Sequence, residues 1–94
     1  MIELFKGQTA NGNSAWFDWP GGAGNVSFVG DGAFDTATLK LQMSPDDGAT
    51  AIDVTGVSLT ADGHKDVPSL GVGVKVRANL ASVGASTDIN ARIF

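Results

Sequence analysis

Residues 36–43, TATLKLQM, alternate cleanly. Ala37, Leu39, Leu41 and Met43 fall on one side of an extended chain, and Thr36, Thr38, Lys40 and Gln42 on the other. A period of two is the signature of a strand buried on one face and wet on the other; the spacing of a helix would scatter these residues around its circumference. The run is broken by SPDDG at residues 44–48, a cluster of turn formers. Alternation then resumes over residues 50–54, with Ile52 and Val54 sharing a face. A strand, an acidic turn and a second strand make a hairpin, and the rest of the chain must supply a second layer to cover its apolar side.

Further strand signals follow the same logic. Residues 72–80 place Val72, Val74, Val76, Ala78 and Leu80 on one face. Residues 87–93 place Thr87, Ile89, Ala91 and Ile93 on one face. Shorter runs at residues 2–6, 14–19, 25–29 and 57–60 are strand-like, and Thr55-Gly56 allows a bulge before the last of them. Residues 64–70 read as a loop or edge strand because Pro68 cannot donate to a ladder. Turns are expected at Asn11-Gly12, residues 20–22, residues 30–32 and residues 61–63. The chain has 13 glycines in 94 residues, and each would cost a helix interior about 1 kcal/mol. The expectation is one all-β domain over residues 1–94. Its form is an antiparallel β-sandwich of about seven to eight short strands, jelly-roll-like or immunoglobulin-like. Residues 1–13 could instead serve as a docking strand or arm.

Charge and composition narrow the partners. Six basic residues against ten acidic ones give a net charge of −4. The basic residues are scattered from Lys6 to Arg92 rather than gathered into a patch, so nucleic acid and an anionic membrane are not expected partners. The longest charge-free stretch, residues 19–30, is too short and too polar to cross a bilayer. The opening MIELFKGQ lacks the charged and apolar regions of a secretion signal, so synthesis in the cytoplasm is expected. With no cysteine, neither a disulfide nor a cysteine-based zinc site can brace so small a core, and assembly with copies of itself or with a larger partner is expected instead.

Chemistry is sparse. His64, the single histidine, stands in ADGHKDV with no nucleophile motif beside it and reads as a solvated residue. Asp46-Asp47-Gly48 lacks the alternating ligands and final glutamate of a calcium loop, and reads as a turn whose aspartates accept backbone hydrogen bonds. The glycine clusters at residues 21–24 and 71–73 lack the lysine and serine or threonine of a phosphate loop. No catalytic residue, metal site or cofactor is assigned, and the chain is not expected to be an enzyme. The aromatic stretch is the sharpest anomaly, because Trp16 and Trp19 are the only tryptophans and lie three positions apart. In a strand they point to opposite faces, so at most one is core and the other is at a surface. Tryptophan favours interfaces, while a sugar-stacking platform is the alternative. Ile2, Leu4, Phe5, Trp16, Phe17 and Trp19 are the candidate interface residues.

Residues 30–54, GDGAFDTATLKLQMSPDDGATAIDV, resemble a pattern found in small virion proteins of tailed bacteriophages. That pattern has glycine, a phenylalanine, an alternating strand ending Leu-Gln-x-Ser, an Asp-Gly turn and a threonine-bearing strand. Val74-Lys75-Val76-Arg77 and the closing run from Asp88 to Ile93 extend the resemblance, which departs at Ala51 and Ile52, where the pattern usually carries a tryptophan. The resemblance implies a capsid decoration or cement protein: a β-rich homo-oligomer, often a trimer, bound to the major capsid protein on the outer virion surface. The alternatives are another phage structural part (tail, fibre or head–tail component) or a carbohydrate-binding or adhesion sandwich.

Overall fold

The computed structural model describes residues 2–19, 26–67, 70 and 73–94. The strands are β1 (Ile2–Gln8), β2 (Gly12–Asn13), β3 (Phe17–Asp18), β4 (Val26–Ala33), β5 (Thr38–Ser44), β6 (Ile52–Leu59), β7 (Gly63–Val67), β8 (Lys75–Ala81) and β9 (Asp88–Ile93). They form two antiparallel sheets. One has the order β1-β9-β4-β7 and the other β2-β8-β5-β6, with β3 also on β8. β2 and β3 are two halves of one edge strand: Gly12 opposes Leu80 and Phe17 opposes Val76. Ser14 bridges the break, its N–H donating to the Ala78 carbonyl and its Oγ accepting from the Ala78 N–H, both at 2.9 Å.

Counted this way, eight strands pair as one long hairpin folded back on itself: β1 with β9, β2/β3 with β8, β4 with β7 and β5 with β6. Rolling that hairpin adds the β4–β9 and β5–β8 ladders. This is the strand order of a jelly roll. An immunoglobulin sandwich groups its first strands differently, and here the first and last strands are neighbours, so of the two expected sandwiches the jelly roll is observed. The inner faces close on Phe28, Leu39, Leu41, Leu80, Ile89 and Ile93, all essentially inaccessible. The alternations read from residues 36–43, 74–80 and 87–93 all place their apolar members inward.

Two local expectations are corrected. The chain does not turn at residues 30–32, because β4 runs through them to Ala33. The turn comes at residues 34–37, where the Ala37 N–H donates to the Phe34 carbonyl at 2.8 Å. The glycines make room instead: a Cβ on Gly30 would sit 2.6 Å from Leu39 Cδ2 in the core, and one on Gly32 would fall on the Asp88 carbonyl oxygen. Gly12, expected in a turn with Asn11, instead pairs with Leu80, and Asn13 pairs with Asn79. Residues 57–59 belong to the same strand as 52–54, joined through the bulge foreseen at Gly56, where φ is +79°. The stop at residues 20–22, Pro68 and Val72 lie outside the described residues.

Three of the four sheet edges among the described residues are irregular, and the fourth, β7, is regular but short. β1 has two register shifts against β9, β2/β3 is interrupted, and β6 bulges. β7 places Lys65 opposite the buried Phe28, on the core-facing side of the sheet. Bulges and inward-pointing charges discourage strand addition from another chain.

Candidate functional site

The six aromatic and apolar residues expected at an interface do not gather in one place. Leu4 and Phe5 are 7% and 5% exposed and belong to the core; Ile2 is half-buried and packs against it. β1, within the residues 1–13 that could serve as a docking strand or arm, is a strand of the sheet paired along β9. Trp19 is buried, and its indole N–H has no acceptor among the described residues. Phe17 packs half-buried against the core on the same side, as its spacing of two from Trp19 requires. Trp16, on the opposite side, is the one member of the set directed to the outer face.

Trp16 stands at the end of a ladder that crosses the second sheet. Gln42 pairs with Asp53 on β6 and Arg77 on β8. Its Nε2 donates to Asp53 Oδ1 at 2.8 Å, and its Oε1 accepts from Arg77 Nε at 2.9 Å. The Arg77 guanidinium then lies over the Trp16 ring, 4.4 Å from its centroid, a cation–π contact worth about 0.5–1 kcal/mol at a partly wet site. Gly48 allows the acidic turn to lie close to the indole, since a Cβ there would meet Trp16 Cδ1 at 3.1 Å. Lys75 ties both flanks together, reaching Asp18 at 2.9 Å and Asp47 at 3.4 Å. The hydrogen bond from Lys75 to Asp18, then the one to Asp47, hold its amine above the usual lysine range. Trp16 is thus a fixed anchor, with one ring face already covered.

The acidic turn beside it is self-contained. Ser44, fully buried, accepts from the Gly48 N–H at 2.8 Å and donates to Asp46 Oδ1 at 2.8 Å. Asp46 also accepts from the Thr50 N–H at 2.8 Å and from the Thr50 hydroxyl at 2.6 Å. These bonds, the Thr50 hydroxyl first and Ser44 next, hold the Asp46 carboxyl below its ordinary value of 3.8. Both oxygens are committed to the turn, and no three acidic or histidine side chains among the described residues are placed to hold a metal ion. Because the folded value is depressed, the stabilisation from Asp46 is complete above the unfolded carboxylate value of about 4 and is lost as pH falls through the folded one. Urea unfolding followed into acid should show Asp46→Asn losing less stability than the parent chain over that interval. Equal acid losses would refute the role.

A second feature was not foreseen. On the outer face of the first sheet lies an open groove of about 490 Å³, lined by Ser27, Val29, Asp31, Asp62, His64 and Phe94, with Gly30 and Gly63 beneath. Its residues come from β4, from β7 and the turn before it, and from Phe94 just after β9. Phe94 exchanges hydrogen bonds with Ser27 at 3.0 and 3.3 Å, Ser27 opposes Asp66 and Val29 opposes His64. The sequence offered no signal for it: the residues are scattered over 68 positions and only the roll brings them together. Comparison of the chain with family models, curated proteins and solved structures finds no match.

Proposed function

We propose that the protein is a structural component of a tailed-phage virion that binds the outer surface of the major capsid protein shell and braces it, as a homo-oligomer such as a trimer. It would be made in the host cytoplasm and come to rest on the capsid surface. The observation that carries this reading is the resemblance of residues 30–54 to small virion proteins. A jelly roll is compatible with it, being an architecture shared by viral capsid and lectin domains. Trp16 and Arg77 are residue types that concentrate binding energy at interfaces, and they stand rigidly on one face while the sheet edges discourage lateral pairing. Burying a few hundred Å² around them contributes several kcal/mol at about 25 cal/mol per Å², before the cost of association. The sugar-platform alternative fits less well, because Arg77 already occupies a face of Trp16.

Co-sedimentation with shells of the presumed capsid tests the proposal, and electron cryo-microscopy of the decorated particle gives position and copy number. Trp16→Ala should weaken shell binding by 2 kcal/mol or more, about thirtyfold, as expected of a central aromatic anchor, while the thermal midpoint stays close to that of the parent. Failure of the parent protein to bind shells, or its appearance only at the tail, overturns the decoration reading.

A further inference from the structure

We propose that the free edge of the Arg77 guanidinium, on the outer face of the β2-β8-β5-β6 sheet, takes a carboxylate side chain presented by a partner protein. The partner is the capsid shell, so the assignment rests on the function proposed above. Gln42 sits between Asp53 and Arg77 across the sheet. Its amide can point only one way, because Nε2 donates to Asp53 and Oε1 accepts from Arg77 Nε. The flipped amide would set donor against donor and acceptor against acceptor. The Trp16 ring lies under the guanidinium, its centroid 4.4 Å away. One N–H and one face of the group are thus committed, and together they fix the direction of the remaining edge.

That edge is open to water. The Nη groups of Arg77 make no hydrogen bond or ion pair among the described residues. They are also absent from the shielded, unpartnered polar atoms, which among the described residues are Trp19 Nε1 and Asp31 Oδ1, so they reach solvent. Charge on the same face sets the sign of the occupant. Lys75 draws both Asp18 and Asp47, and Lys40 draws Asp53. Asp46, in the adjoining turn, commits both oxygens to Ser44 and Thr50. Among the described residues Arg77 is therefore the cation of this face that no carboxylate neutralises directly. A planar fork of N–H donors matches a carboxylate through two parallel bonds. Because Gln42 and Trp16 aim the fork before binding, little side-chain freedom is left to lose on docking. Trp16 supplies apolar contact beside the charge-assisted pair.

The first test needs no shell. ¹⁵N-labelled protein is titrated with acetyl-Gly-Glu-Gly-amide and, separately, with its glutamine counterpart. The expected result is a saturable shift of the Arg77 Nε–H and of the amides of Trp16, Gln42 and Arg77 with the glutamate peptide, and none with the glutamine peptide. Arg77→Lys, which keeps the charge and loses the fork, should weaken glutamate binding about tenfold, the scale of one charge-assisted hydrogen bond. The titration of the parent gives the reading by itself should that variant fold poorly. Glutamine binding as tight as glutamate overturns the proposal, as do equal shifts at Lys40 and Lys75. Concentration-dependent shifts at Arg77 without peptide would make a second copy of this chain the source of the carboxylate and also overturn it. Co-sedimentation separates this failure from that of the virion reading. Shell binding that is unchanged in Arg77→Lys and Arg77→Gln leaves the virion reading standing and overturns the carboxylate site. A parent that takes the glutamate peptide at Arg77 and ignores shells supports the carboxylate site and overturns the shell as its partner.

Discussion

Alanine at Gly32 should leave the sandwich barely stable, whereas alanine at Gly56 should cost only about 1–2 kcal/mol. Both glycines have positive φ, +116° and +79°, so both substitutions strain the backbone. They differ in what surrounds them. Nothing lies within 4 Å of a Cβ at Gly56, on the exposed bulge of β6, while a Cβ at Gly32 collides with the backbone carbonyl of Asp88 on β9. That carbonyl belongs to the ladder joining β4 to β9, the central pair of the first sheet, and cannot move without breaking it. A clash with backbone inside a ladder belongs with the substitutions that cost more than about 4 kcal/mol. A 94-residue domain has roughly 5–14 kcal/mol in total. Urea unfolding of the two variants beside the parent provides the measurement. Similar losses at both positions would show that φ alone matters and that β4 yields at Gly32.

That contrast also marks what the sequence could and could not reveal. The alternations at residues 36–43 and 87–93 specify strands and inward faces, because burial on one side of a pleated chain leaves no other pattern. The acidic turn was legible for the same reason, and Ser44, Asp46 and Thr50 satisfy it locally. Residues 30–32 were misleading. Glycine serves both a turn and a close approach between strands, and only the position of β9 decides between them. Leu4 and Phe5 lie in the core, a place the sequence does not give away, because an apolar run near the start of a chain looks the same whether it docks elsewhere or closes its own sheet. The spacing of Trp16 and Trp19 correctly separated their faces but could not reveal Arg77, 61 positions away from Trp16, as the group that lies over the indole. The groove was invisible for a stronger version of that reason: its Phe94, Asp31 and His64 become neighbours only through the roll.

Removal of residues 1–6 should destabilise the whole sandwich rather than release a docking arm. Leu4 and Phe5 leave the core with that deletion, and each buried side chain of their size contributes about 1.5–3 kcal/mol. Together that is roughly 3–6 kcal/mol, a large share of the stability expected for a domain of this size. The deletion also turns β9 from an inner strand into an edge. β9 is regular and carries the inaccessible Ile89, Ala91 and Ile93, so it would lack the irregularities that blunt the native edges and would invite pairing with other chains. The truncated protein should therefore melt much earlier than the parent and aggregate on heating, measured by circular dichroism and light scattering. Trp16→Ala, by contrast, removes an outer-face side chain and should leave the melting profile nearly intact. Loss of shell binding in the truncated form would then be a consequence of unfolding, and only loss in Trp16→Ala would locate the docking face. A truncated chain that melts like the parent and fails to bind shells would reverse both conclusions, making β1 an arm whose core contacts are dispensable.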